Sequence, residues 1–105
     1  MAQVPDEIMT ILKRYVAELE RDSIHLKAAI LFGSYATGRY EEFSDIDVAL
    51  VSDDFQGVRF SDKERIRKST LATDYRISPL PFRSEDFKEE NLFVKEILRT
   101  GIRII

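Results

Sequence analysis

The chain has 105 residues, a net charge of −3 and no cysteine, and 44% of its residues are hydrophobic. This composition is typical of one folded domain spanning residues 1–105, and the lack of cysteine excludes disulfides and thiolate metal sites. The apolar runs are too short to cross a bilayer and the first residues do not resemble a signal peptide, so we expect a cytoplasmic protein without membrane attachment. The acidic charge argues against a nucleic-acid coat protein, but it does not exclude a nucleotide or RNA substrate bound through a metal ion.

Helices and strands alternate along the sequence. The predicted elements, in chain order, are a helix at residues 6–20, a strand at 26–32, a turn and short helix at 33–39, a strand at 45–51, a helix at 62–71, a strand at 75–78, a helix at 91–100 and a final edge strand at 102–105. Ser61 is predicted to cap the third of these helices, and Pro79 and Pro81 are predicted to end the third strand because proline cannot donate to a sheet. The pattern indicates an α/β or α+β fold, with a small mixed sheet flanked by helices. Such a short chain buries a small share of its surface, so pairing with a second copy or another protein would add stability.

The residues that indicate function lie between positions 31 and 51, in the sequence LFGSYATGRYEEFSDIDVALV. Gly33 and Ser34 follow an apolar strand and open a short helix, where a phosphate can approach the backbone and accept hydrogen bonds from N–H groups and the serine hydroxyl. Asp45 and Asp47 begin the next strand, so their carboxylates point to one face, ~7 Å apart along the chain, and repel each other unless a cation lies between them. Mg²⁺ commonly joins one or two carboxylates to substrate phosphates. The pattern therefore predicts a magnesium and phosphate site.

Three other motifs do not fit this segment. A P-loop requires Lys and then Ser or Thr where the chain has Arg39 and Tyr40. An EF-hand requires polar residues and a glycine after its second aspartate, whereas Asp47 is followed by the apolar residues of a strand. A phosphatase with an aspartyl nucleophile would carry its aspartates after the apolar run, and here they precede it.

Gly-Ser, ten intervening residues and Asp-x-Asp, set between two apolar strands, resemble the signature of the polymerase-beta-type nucleotidyltransferase superfamily. In length, and in its ending ENLFVKEILRTGIRII, the chain resembles the minimal nucleotidyltransferase (MNT) branch, whose members are often paired with a HEPN-domain protein as antitoxin and toxin. The resemblance implies that Gly33 and Ser34 contact the nucleotide phosphates and that Asp45 and Asp47 bind Mg²⁺. It also implies transfer of a nucleoside monophosphate, AMP from ATP, to a hydroxyl such as a tyrosine of a HEPN toxin, with release of pyrophosphate.

The third carboxylate that active members usually carry on a later strand is open here. The corresponding sequence is TDYRISPL, in which Asp74 is the candidate and Arg76 is predicted to share its face. If Asp74 supplies the acid, it lies close to Asp45 and Asp47 and acts as general base or completes the metal site. If Arg76 occupies that position, its guanidinium pairs with one of the two aspartates, chemistry is disfavoured, and the chain is a binding module that neutralises a partner by contact.

Five further residues receive simpler interpretations. Gly38 is predicted to end the short helix, and His25, the only histidine, is too far from the motif in sequence to be expected as a base. Phe82, Phe87 and Phe93 are predicted to pack in the core or at an interface rather than to stack on bases.

Overall fold

The computed structural model describes residues 4–105, and its elements alternate as the sequence predicts. They are α1 (Asp6–Arg21), β1 (Ala28–Phe32), α2 (Ser34–Thr37), β2 (Ile46–Val51), α3 (Arg59–Thr73), β3 (Ile77–Phe82), a 3-10 turn (Ser84–Asp86), α4 (Leu92–Thr100) and β4 (Ile102–Arg103). Gly38 ends α2 in the left-handed conformation, with φ 80°, as predicted. Among the described residues, no helix has the length and apolar character needed to cross a membrane.

The four strands form one mixed sheet in the order β3-β2-β1-β4. β1 is antiparallel to both β2 and β4, whereas β2 and β3 are parallel. A parallel pair needs a long crossover connection, and α3 provides it. The fold class predicted from the sequence is confirmed.

Helices cover both faces of the sheet. Ile46, Val48 and Leu50 of β2 belong to a core that contains the buried residues of α1 and Ile66 of α3. The alternate residues, including Ala49, belong to a second core that contains Val94 and Ile97 of α4. Since successive side chains of a strand point to opposite faces, Asp47 lies on the face that α4 covers.

A buried hydrogen bond joins the two helices on the first face. The hydroxyl of Tyr15, which is fully buried, lies 2.6 Å from the hydroxyl of Thr70. Burial raises the pKa of Tyr15 to about 12, so this hydroxyl stays protonated at neutral pH. The bond therefore fixes α1 against α3 without introducing a charge into the core.

The third strand differs from the prediction in both its start and its end. It spans Ile77–Phe82, so it contains the two prolines, Pro79 and Pro81, that were expected to end it. The main-chain carbonyls of Arg76 and Phe82 accept hydrogen bonds from the β2 side at 2.9 and 3.0 Å, so the even-numbered residues bond to β2. The odd-numbered prolines consequently present their nitrogens to the open edge of the sheet, where no ladder hydrogen bond is lost.

The start of α3 also differs from the prediction. The helix begins at Arg59, so Ser61 lies inside its first turn and does not cap it. Asp62 anchors the preceding loop instead, because its buried carboxylate accepts hydrogen bonds from the main-chain N–H groups of Gln56 and Gly57 at 2.8 and 2.9 Å. The sequence does not reveal this role of Asp62, because the residue lies in a segment rich in polar residues and binds N–H groups that precede it in the chain. At the C-terminus, β4 covers only the first two residues of the predicted strand at 102–105.

Candidate active site

The two halves of the Gly-Ser and Asp-x-Asp motif meet at one end of the sheet. β1 ends at Phe32 and β2 begins at Ile46, and the antiparallel register pairs Phe32 with Asp47. Gly33 follows directly and has φ 74°, a conformation that glycine adopts far more readily than other residues. A Cβ built on Gly33 would overlap the carboxylate of Asp47, so the glycine backbone and this carboxylate are in close contact.

Electrostatics at the aspartate pair favour a bound cation. Asp47 is half-buried and Asp45 is exposed. Burial raises the pKa of Asp47 first, and the negative charge of Asp45 raises it further. Both effects disfavour the ionised carboxylate in the protein alone, and a divalent cation beside the pair would reverse them.

The donor set at this end of the sheet suits magnesium bound together with a substrate. Asp45 and Asp47 offer carboxylate oxygens, the ligands that Mg²⁺ prefers. Within residues 4–105, no group of three or more His, Cys, Asp and Glu side chains is close enough to hold a metal ion. In enzymes that act on nucleotides, substrate phosphates and water commonly supply the remaining ligands of Mg²⁺.

Ser34 opens α2 beside this pair. It is the first residue of the helix and is half-buried. The first N–H groups of a helix lack partners within the helix, so those near Ser34, together with its hydroxyl, can donate to an anion that approaches across Gly33.

The strand register places a serine, and not an acid, beside Asp47 on β3. Asp47 pairs with Ser78 in the parallel ladder, and paired residues of neighbouring strands share a face. The sequence did not identify Ser78, because the register of a parallel strand after a helical crossover cannot be read from local patterns.

Asp74 and Arg76 both precede β3, so the prediction that they lie on one face of a strand is wrong. Asp74 ends α3, and its carboxylate accepts hydrogen bonds from the main-chain N–H of Arg76 at 2.8 Å and from the guanidinium at 3.1 Å. Arg76 also donates to Glu7 of α1 at 3.2 Å. The guanidinium therefore pairs with Asp74 and Glu7, and not with Asp45 or Asp47 as one of the two alternatives required.

The ion pair fixes the charge of both groups. Arg76 holds the pKa of Asp74 below its usual range, and Asp74 raises the pKa of Arg76.

His25 lies at the other end of β1 and β2, where its Nδ1 is 2.9 Å from the carboxylate of Asp54. Of the predicted site residues, Gly33 and Asp47 lie in direct contact.

Comparison with known proteins identifies the family. Residues 9–103 match the family described as "Nucleotidyltransferase domain", and because this match covers nearly the whole chain, the chain belongs to that family. The predicted enzyme class, nucleotidyltransferase, is thereby confirmed.

A curated relative and three solved structures are similar to the chain. A protein of Methanocaldococcus jannaschii named "Putative protein adenylyltransferase MJ0141" is 29% identical over 102 residues, which cover 93% of this chain and 96% of the relative. The solved structure of a toxin-antitoxin with AMP-PNP has a TM-score of 0.65 at 20% identity, over 89% of this chain and 71% of that chain. A putative nucleotidyltransferase from Sulfolobus solfataricus has a TM-score of 0.66 at 19% identity, over 92% of this chain and 78% of that chain. A mutant of the toxin-antitoxin MntA-HpeT has a TM-score of 0.64 at 20% identity, over 89% of this chain and 71% of that chain.

Proposed function

We propose that the chain transfers a nucleoside monophosphate, AMP from ATP, to a hydroxyl of an acceptor, and that it does so at the Gly33, Ser34, Asp45 and Asp47 site. The contact between Gly33 and the Asp47 carboxylate carries the proposal, because it joins a surface open to phosphates with a carboxylate suited to Mg²⁺. Two of the solved structures that share this fold are toxin-antitoxin structures, and the curated relative is named as a putative protein adenylyltransferase. These similarities support AMP as the transferred group and a protein as the acceptor.

In the proposed reaction the acceptor oxygen bonds to the α-phosphorus of ATP. The bond from that phosphorus to the oxygen bridging to the β-phosphate breaks, pyrophosphate leaves, and the acceptor hydroxyl gives up its proton. When bound, Mg²⁺ supplies charge neutralisation on the phosphate oxygens. Asp47 on β2 and Asp45 just before that strand would hold the ion, the missing side chain of Gly33 would let the phosphates approach, and Ser34 would donate a hydrogen bond to them.

Asp74 is our candidate for the general base that receives the proton. Its pKa is below the usual range, so it is ionised at neutral pH and able to accept a hydrogen bond from a hydroxyl. For this role the ion pair with Arg76 would have to open, or the Asp74 carboxylate would have to bind Arg76 and the acceptor hydroxyl at the same time.

The proposed acceptor is a tyrosine of a HEPN-domain toxin, which makes the chain an antitoxin of the minimal nucleotidyltransferase kind. A second candidate function keeps the partner and omits the chemistry, so that the chain neutralises the toxin by contact. The specific observation that favours it is Ser78, an uncharged side chain at the β3 position beside Asp47.

A transfer assay separates the two functions. The purified chain is incubated with Mg²⁺, ATP labelled on the α-phosphate, and a HEPN-domain protein, with RNA as an alternative acceptor. We expect label on the protein, its loss with Asp45→Ala or Asp47→Ala, and a rate about a hundredfold lower with Asp74→Ala at nearly unchanged ATP affinity. Binding of Mg²⁺ and ATP without any transfer would contradict the enzymatic function and support neutralisation by contact.

A further inference from the structure

A cavity of about 340 Å³ opens between α2 and α4. Its lining includes Phe32, Gly33, Thr37, Phe93, Glu96 and Thr100. Gly33 lines this cavity and also lies against Asp47, because a side chain on Gly33 would reach the Asp47 carboxylate. The volume lies within the range of small-molecule sites, roughly 300–1,000 Å³.

An exposed aromatic ring stands at one side of the cavity. Phe93 is 47% exposed although α4 buries its neighbour Val94, so of the two predicted locations, core or interface, it does not occupy the core. Its ring and that of Phe32 form an edge-to-face pair, with centroids 5.8 Å apart. Asn91 accepts a hydrogen bond from the main-chain N–H of Phe93 at 2.9 Å and so fixes the start of the helix. The Phe93 ring is therefore partly exposed and carried on a helix whose start is fixed.

The polar groups around the cavity are acceptors. Arg99 donates to the Glu96 carboxylate at 2.6 and 3.2 Å, which lowers its pKa and keeps it charged at neutral pH. The hydroxyls of Thr37 and Thr100 each donate to a main-chain carbonyl, at 3.2 and 2.9 Å, which leaves their oxygens as acceptors. A negative carboxylate and acceptor hydroxyls disfavour a phosphate and favour an aromatic group that carries an N–H donor.

We propose that this cavity binds the amino-substituted nucleobase of the nucleotide, with Phe93 stacking on the base and Glu96 accepting a hydrogen bond from its exocyclic amine. The inference rests on the proposed function, because it is the nucleotide's phosphates that lie across Gly33 from the base. A tyrosine ring of the acceptor is the other aromatic group that could enter, but it offers no amine to Glu96.

Calorimetry with two probes tests the stacking. Titrations in Mg²⁺ compare ATP with inorganic tripolyphosphate, which lacks a base. We expect Phe93→Ala to weaken ATP binding about 5- to 100-fold, by the loss of base stacking, and to leave tripolyphosphate binding unchanged. Phe93→Leu keeps most of the side-chain volume and should show the same selective loss. Leu98→Ala is the matched control, since Leu98 is 44% exposed on the same helix and lies outside the cavity lining, and it should change neither affinity.

The outcomes distinguish this inference from the proposed function. A wild type that binds neither probe contradicts the nucleotide site itself. If the wild type binds both and Phe93→Ala retains the ATP affinity, or loses affinity equally for tripolyphosphate, the base subsite is overturned. A higher KM for the acceptor at unchanged ATP affinity also overturns it and assigns the cavity to the acceptor.

Glu96 has its own test. Purine riboside triphosphate lacks the exocyclic amine of ATP, so we expect the wild type to bind ATP more tightly, by roughly 3- to 10-fold for one hydrogen bond to a charged group. Glu96→Ala should remove this preference and leave tripolyphosphate binding unchanged. The same preference in Glu96→Ala as in the wild type would overturn the role of Glu96.

Discussion

At the scale of single residues, Gly33 and Asp47 constrain each other. Gly33 has a positive φ of 74°, and the space that its side chain would need is filled by the Asp47 carboxylate. The carboxylate in turn is half-buried and lies on the face of β2 that α4 covers. A substitution at either position therefore acts on the other as well as on the backbone.

Gly33→Ala should lower stability and disturb the aspartate pair. Gly38→Ala is the control, because Gly38 also has a positive φ, 80°, but lies exposed at the far end of α2. Backbone strain alone predicts a loss of about 1–2 kcal/mol for Gly38→Ala, with Mg²⁺-dependent ATP binding retained. Gly33→Ala should lose more than this, by thermal unfolding, and should also lose ATP binding. Equal losses for the two variants would show that the overlap with Asp47 is relieved at no cost.

Asp47 and Asp74 should affect stability with opposite signs. The folded protein raises the pKa of Asp47, so ionisation destabilises the metal-free fold as the pH rises above the ordinary value of 3.8. The fold lowers the pKa of Asp74, so its ionised form contributes stability that is lost only as the pH falls below 3.8 and through the folded pKa. Asp47→Asn should therefore raise the melting temperature at about pH 7, with a gain that shrinks toward about pH 4.

Asp74→Asn should lower the melting temperature over the same pH range, because it weakens the hydrogen bonds to Arg76. The expected loss in the free energy of unfolding is about 1–3 kcal/mol. Scanning calorimetry of both variants in metal-free buffer checks the signs. A melting temperature that falls with Asp47→Asn at neutral pH would mean that the Asp47 carboxylate has a structural partner.

At the scale of elements, the start of α3 depends on one buried carboxylate. Asp62 is 3% exposed and receives hydrogen bonds from two main-chain N–H groups in the loop before the helix. Asp62→Ala should leave these groups unpaired and cost about 2–4 kcal/mol. Ser61→Ala, at the exposed neighbouring position first expected to cap the helix, should cost less than about 0.5 kcal/mol. Chemical denaturation of both variants measures the difference, and a larger loss for Ser61→Ala than for Asp62→Ala would show that Ser61 caps the helix.

The sequence predicts most elements correctly because their local signals are strong. The helical spacing of Ile8, Ile11, Leu12 and Tyr15 gives α1, and the apolar segment that ends at Gly33 gives β1. The sequence predicts the end of the third strand wrongly because proline lacks the main-chain N–H that a strand residue donates to its neighbour. The cost of that loss depends on which edge of the strand faces another strand. An edge position is a property of the whole sheet, so no local pattern could have revealed it.

At the scale of the whole molecule, the strand order determines what surrounds the site. The Gly-Ser and Asp-x-Asp spacing indicates that the two halves meet, and the antiparallel pairing of Phe32 with Asp47 brings Gly33 and Asp47 together. The sequence could not place Ser78 beside Asp47, because that neighbour follows from the parallel register across the α3 crossover. It also could not show that α4 turns Phe93 toward Gly33, because this depends on how the helix packs on the sheet.

The proposed function depends on Mg²⁺ and ATP binding together at Gly33 and the aspartate pair. Isothermal titration with ATP, with and without Mg²⁺, on the wild type and on Asp47→Asn tests it most directly. We expect tight binding only for the wild type with Mg²⁺, because Asp47→Asn removes a charged ligand and the metal-free pair repels the phosphates. Equal binding in all four titrations would contradict it.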